Sequence, residues 1–168
     1  VVYNPEFLVE GSSKQDFVDP KLHVFGGTEW ATDMLARLYL KNSICTWCPI
    51  FAMTMDEAAL VKYAINSFLA LKVIFFNELY DTARHIDANF GVISDAIGSD
   101  PRIGHSHTKV PGFDGKRGFG GSCFPKDTQA FISYSRAQQL LRKCVEINSE
   151  YHRKYDDISG SLEPELDD

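Results

Sequence analysis

Cysteine is scarce in this chain and positive charge is in deficit. Four cysteines (Cys45, Cys48, Cys123, Cys144) in 168 residues are too few for the disulfide framework of a secreted scaffold. Lysine and arginine number 17 against 23 aspartates and glutamates, a formal net charge of −6, which argues against general nucleic-acid binding. The N-terminus lacks the basic-then-apolar pattern of a signal peptide. No apolar run reads as long enough to span a membrane, so the expected location is cytoplasmic. No glycine-rich dinucleotide fingerprint follows a strand, and no internal repeat is visible. Cys45-Thr46-Trp47-Cys48 has no second cysteine pair at zinc spacing, so both thiols are expected to be free and buried. His105 and His107 sit in a loop and are not expected to hold a metal.

What is present suits one modest domain or part of a larger protein. An apolar share of 44% is that of a globular chain. Residues 1–54 read as α/β. A strand ends at Tyr3 with nothing to pair against, and a second strand at Leu22 to Phe25 is stopped by Gly26-Gly27. Thr28 caps a helix from Glu29 to Lys41 with Trp30, Met34, Leu35 and Leu38 on one face, and a short strand covers residues 49–53. Residues 55–158 read as helical. Thr54 and Glu57 fit a capping box. The helix they open runs without Gly or Pro to about Asn89, roughly 50 Å at the usual rise, and is apolar around much of its girth. Such a helix needs cover from several others, and a homodimer through it is expected. A short helix follows over residues 89–97, closed by Gly98. The loop of residues 100–121 is long enough to suggest function. A last helical region spans about 126–155, broken near Ser135. The acidic segment 159–168 is read as a solvated tail. The expected fold class is mainly α with a small α/β remnant, built on one long central helix.

Three groups of residues carry candidate chemistry. In Gly118-Phe119-Gly120-Gly121-Ser122-Cys123-Phe124-Pro125-Lys126-Asp127, a cysteine follows a glycine-dense loop. Proline is favoured at the first helical position, which places Cys123 just before a helix and Lys126 and Asp127 in its first turn. That setting favours a thiolate nucleophile; the alternative is a small buried cysteine beside a tight turn. Lys62 and Asn66, four apart on the long helix, share a face. They fit an oxyanion-holding pair; the commoner alternative is a snorkelling lysine and a solvent-facing asparagine. Glu6 and Glu10 flank Phe7-Leu8-Val9 just after a strand end, where α/β folds place ligands, or are plain surface carboxylates.

These blocks resemble the nucleotide-sugar 6-dehydrogenases, the UDP-glucose and GDP-mannose dehydrogenases. The resemblance rests on Asn4-Pro5-Glu6-Phe7-Leu8 with Glu10-Gly11, on residues 57–78, on Asp100-Pro101-Arg102-Ile103-Gly104, and on residues 118–127. It covers about residues 1–155. It implies oxidation of a sugar primary alcohol to a carboxylate in two hydride transfers to NAD. By position, Cys123 would form a thiohemiacetal and then a thioester, Asp127 would help activate water, and Lys62 and Asn66 would steady the oxyanion. Glu6 would act in proton transfer and thioester hydrolysis. Glu10 and Lys126 would lie near NAD. Phe7, Leu8, Phe119 and Gly120 would touch the sugar nucleotide, and Arg102 would reach a neighbouring subunit's substrate. The long helix would be the dimerisation helix. The family also implies a preceding NAD-binding domain and a following nucleotide-binding domain. This chain is therefore expected to hold the end of the first domain and the central domain, and to need a longer chain or a separate NAD-binding chain for activity. The competing expectation is a non-catalytic remnant serving as a dimerisation or interaction module.

Overall fold

The computed structural model describes residues 1–8 and 12–160, with side chains through residue 154. The chain forms two compact units, Val1–Ile65 and Asn66–Asp168.

The first unit is built on a three-stranded sheet in the order β1-β2-β3. β1 (Val2–Tyr3) pairs antiparallel with β2 (His23–Gly27), Val2 opposite Gly27. The strand at Tyr3 therefore has a partner, contrary to expectation. β2 pairs in parallel with β3 (Ile50–Met53), with His23 opposite Ile50 and Gly26 opposite Met53. As the central strand β2 is buried through Val24 and Phe25. It runs through Gly26 and Gly27 rather than stopping at them, since both pair with β1 and Gly26 also with β3, and at Gly26 a neighbour occupies the space a side chain would need. A Cβ on Gly26 would lie 2.7 Å from the Ala58 Cβ and 2.9 Å from the Met55 Cα. A short helix that the sequence did not suggest, α1 (Ser13–Val18), precedes β2.

The parallel β2–β3 pair requires a crossover, and α2 (Glu29–Asn42) supplies it. Of the four residues that share a face, Trp30, Met34 and Leu38 are 72%, 53% and 55% exposed and Leu35 is partly buried. Packing instead runs through Ala31 and Thr32, small residues that let the helix approach its neighbours closely. Thr28 precedes the helix with an extended backbone. It caps with its carbonyl, accepting from the N–H groups of Ala31 and Thr32, and not with its side chain.

The long helix is α3 (Met55–His85). Its capping box forms as the sequence predicts: Thr54 N–H donates to Glu57 Oε2 at 2.8 Å, and Glu57 N–H donates to Thr54 Oγ1 at 3.3 Å. It stops four residues short of the expected end. The chain reverses at Asp87, whose φ of 55° is in the left-handed region, which a short polar side chain tolerates. By length and composition α3 is apolar enough to cross a membrane, contrary to the reading that no run is. Its lysines, however, are bound to carbonyls of this same chain: Lys62 Nζ donates to Glu6 O, and Lys72 Nζ donates to Ile103 O and Gly104 O at 2.8 and 3.0 Å.

The second unit packs α3 beyond Ile65 with α4 (Phe90–Gly98), α5 (Cys123–Tyr134) and α6 (Gln139–Gly160). The Asn89 side chain caps α4 by accepting from Val92 N–H. The final helical region divides into α5 and α6 at Ser135, whose backbone is extended. A core of Ala70, Ile74, Phe119, Cys144 and Tyr151 joins α3, α6 and the loop before α5. The expected acidic tail lies largely outside the described residues.

Candidate active site

The first unit holds Glu6, Phe7, Leu8 and Lys62. Lys62 Nζ donates to the backbone carbonyl of Glu6 and stands 5.3 Å from the centre of the Phe7 ring. The cation is thus engaged by the segment that follows the turn, not snorkelling freely. The Glu6 side chain is exposed. Glu6, Phe7 and Leu8 line a hollow with Asn4, Phe17 and Tyr39, and Asn4 Nδ2 donates to the Tyr39 hydroxyl at 3.1 Å. Glu10 lies outside the described residues.

The second unit holds the other candidates. Cys123 is the first residue of α5, with Ser122 before it; it is not a residue ahead of the helix. Pro125 takes the third helical position, where its missing N–H costs no intrahelical bond. This shifts Asp127 out of the first turn and one full turn beyond Cys123, so the two share a face. Cys123 is exposed, its Sγ 3.7 Å from Ser122 Oγ, which removes the buried-cysteine alternative. Asp127 is only 3% exposed. Asn66 Nδ2 donates to its Oδ2, and Lys126 Nζ lies 3.2 Å from its Oδ1. Asn66 is itself buried at 7%, so it is not the solvent-facing residue of the alternative reading. The arrangement is an exposed thiol one turn from a buried carboxyl that an amide orients.

The glycine-dense loop is anchored by residues the sequence reading did not single out. Asn148 on α6 accepts from Phe119 N–H at 2.7 Å and donates to Phe119 C=O at 3.0 Å. Asn77 on α3 accepts from Gly118 N–H at 3.1 Å and from Arg117 Nε at 2.7 Å. Arg117 also donates to Asp81 Oδ2, to which the Tyr151 hydroxyl donates as well. The guanidinium sits 4.8 and 4.5 Å from the ring centres of Tyr80 and Tyr151. Burial works against ionisation of Asp81, but the Arg117 and Tyr151 hydrogen bonds outweigh it and hold the carboxyl below its ordinary range. An amide on a mostly apolar helix was the available signal for Asn77, since a buried amide must find partners; Asn148 stands on a largely polar helix and offered none.

Phe119 lies in the core and Gly120 is partly exposed beside it. Arg102 is exposed, forked onto Asp100 through Nε at 3.0 Å and a terminal nitrogen at 2.6 Å. His107, with a φ of 62°, is partly buried, its ring centre 5.5 Å from that of Phe124 and tilted 48° to it. Burial, then the charge of Lys72, pushes its pKa down. In the first unit, Cys48 is buried as expected, but Cys45 is partly exposed, with its Sγ 3.1 Å from Phe17 O. No group of three or more His, Cys, Asp or Glu side chains among the described residues is placed to hold a metal ion.

Residues 56–150 match the model of the UDP-glucose/GDP-mannose dehydrogenase family, central domain. UDP-glucose 6-dehydrogenase TuaD of Bacillus subtilis is 34% identical over 155 residues, covering 92% of this chain and 32% of the relative. The UDP-glucose 6-dehydrogenase of Rickettsia typhi is 39% identical, covering 88% of this chain and 34% of the relative. Among solved structures, a UDP-glucose dehydrogenase of Pyrobaculum islandicum aligns with a TM-score of 0.77 at 38% identity, over 89% of this chain and 34% of its own. The chain thus spans about a third of the length of these relatives. It belongs to the UDP-glucose/GDP-mannose dehydrogenase family, through that family's central domain.

Proposed function

We propose that this chain carries the covalent half of a nucleotide-sugar 6-dehydrogenase, of the UDP-glucose 6-dehydrogenase kind. The observation that carries the reading is the exposed Cys123 thiol one helical turn from Asp127, a buried carboxyl oriented by Asn66. A thiol adds to an aldehyde with a new C–S bond, its proton passing to the carbonyl oxygen. Loss of hydride and of the hydroxyl proton from that thiohemiacetal leaves a thioester, and attack by water releases the carboxylate and restores the thiol. Asp127, held in one orientation, is placed to polarise that water. Lys62 and Asn66 supply N–H donors for the developing oxyanion, and Glu6 takes part in proton transfer.

NAD is the hydride acceptor in this proposal. The described residues do not build a cradle for it: no glycine fingerprint follows a strand, Glu10 lies outside them, and Lys126 is paired with Asp127. The cofactor is proposed to be held mainly by parts of the enzyme other than this chain, whether a longer chain or a separate one. Phe7, Leu8, Phe119, Gly120 and Arg102 are proposed as sugar-nucleotide contacts, with Arg102 serving a neighbouring subunit. The setting is proposed to be a cytoplasmic homodimer assembled through α3.

The test is adduct formation. The chain is incubated with the 6-aldehyde of UDP-glucose, NAD and the family's remaining domains, the reaction is quenched in acid, which preserves a thioester, and bound sugar nucleotide is located by peptide mass spectrometry. Labelling at Cys123, with NADH formation lost in Cys123→Ser, is the expected result. NADH formation that survives Cys123→Ser would sink the proposal.

A further inference from the structure

We propose that Asn148 is a positioning residue for Cys123, an inference that rests on the thiol-nucleophile reading above. The Asn148 amide uses its donor and its acceptor on the two polar groups of one residue, Phe119 N–H and C=O. That is the pairing an adjacent strand would offer, made here by one side chain. Asn148 is buried at 8% and the Phe119 ring is in the core, so the clamp fixes both the backbone and the side chain of Phe119. Four residues later the chain enters α5 at Cys123. Gly118 is fitted to the same amide: its φ is 82°, and a Cβ there would lie 2.4 Å from Asn148 Oδ1. Asn77 holds the Gly118 N–H from the opposite helix. Residues 118–119 are therefore tied to α3 and α6 at once. The short span 120–122 transmits that placement to the start of α5, where first-turn N–H groups favour an anion beside the thiol.

The readout is the ratio of Cys123 alkylation rates by anionic iodoacetate and neutral iodoacetamide, resolved from the other three cysteines by peptide mass spectrometry. A ratio cancels thiolate fraction and general exposure. At low ionic strength the chain is expected to exceed a peptide of residues 118–127 by about 3-fold, the scale of a helix terminus acting on an anion. In Asn148→Ala, with helix content verified by circular dichroism, the ratio is expected to fall to the peptide's value. Equal ratios in the native chain and Asn148→Ala, or a native ratio no higher than the peptide's, overturn the assignment. If Asn148→Ala does not fold, Asn148→Ser, which keeps a hydroxyl for one of the two Phe119 groups, is read in the same way. No sugar nucleotide enters the assay, so its failure is separate from failure of the dehydrogenase reading, which the adduct experiment decides.

Discussion

Asp127 places a carboxyl group where almost no solvent reaches it, and Asn66 meets it from α3. A buried polar group whose partner is removed carries its full desolvation penalty. Asn66→Ala is therefore expected to destabilise the fold by about 2 kcal/mol, and Asn66→Ala with Asp127→Ala together by less than the sum of the two. Urea denaturation of the three variants measures both numbers, and additive losses would show that the pair does not interact. The thiols divide by burial. Burial, helped by Glu78, pushes Cys144 up to about 11, so near pH 8 iodoacetamide is expected to label Cys123 well before Cys144. Equal labelling rates would contradict the packing. His107 gives a pH dependence of definite sign. Its pKa is pushed below the ordinary 6.5, first by burial and then by Lys72, so the unfolded chain takes up the proton more readily. Its contribution is fully present above 6.5 and is lost as pH falls from there through the lowered value. The thermal midpoint is expected to drop between about pH 7 and pH 5, and to drop less in His107→Asn, which also tolerates the left-handed backbone. Identical pH profiles would rule His107 out as the source.

At the scale of elements, the start of α3 and the loop before α5 show what a local pattern can and cannot specify. Thr54 and Glu57 are three residues apart, and their capping box needs nothing from the rest of the chain. Thr54→Ala is accordingly expected to cost about 1 kcal/mol, read as a shift in the urea midpoint; no shift would mean the helix start is held by other contacts. Cys123, Lys126 and Asp127 were legible because their chemistry is written in ten consecutive residues. The start of α5 was misplaced by two residues because Pro125 is acceptable anywhere in a first turn, and only packing chooses among the options. Trp30, Met34, Leu35 and Leu38 were placed on one face of α2, but periodicity reports which residues share a face, not whether that face is covered. The partners of Asn148 and Asn77 were illegible for a different reason: they are backbone groups 29 and 41 residues away, and no spacing rule reaches that far. Gly118 can be tested directly. A left-handed φ and a neighbour at 2.4 Å both oppose a side chain, so Gly118→Ala is expected to destabilise the chain by about 2 kcal/mol or more. A change below about 0.5 kcal/mol would mean that the loop relaxes freely.

For the whole molecule, α3 carries the proposal about assembly. Phe68 and Phe75, two turns apart, are 67% and 57% exposed, on a helix whose third phenylalanine, Phe76, is fully buried. Exposed apolar surface marks a protein–protein contact when it is contiguous, and a helix face carrying both rings is the candidate seam. Phe68→Asp is expected to convert a dimer to monomer in sedimentation velocity at micromolar concentration while leaving helix content unchanged. A native chain that sediments as a monomer would remove the proposed dimer outright.

The guanidinium of Arg117 lies over the faces of Tyr80 and Tyr151 while its Nε–H is held by Asn77. Aromatic ring currents shield a proton in that position, and the hydrogen bond slows its exchange with water. The chain thus contains a natural magnetic-resonance reporter: one arginine side-chain signal displaced from all the others, whose line width would follow motion of the cysteine loop on the microsecond-to-millisecond timescale without any attached label.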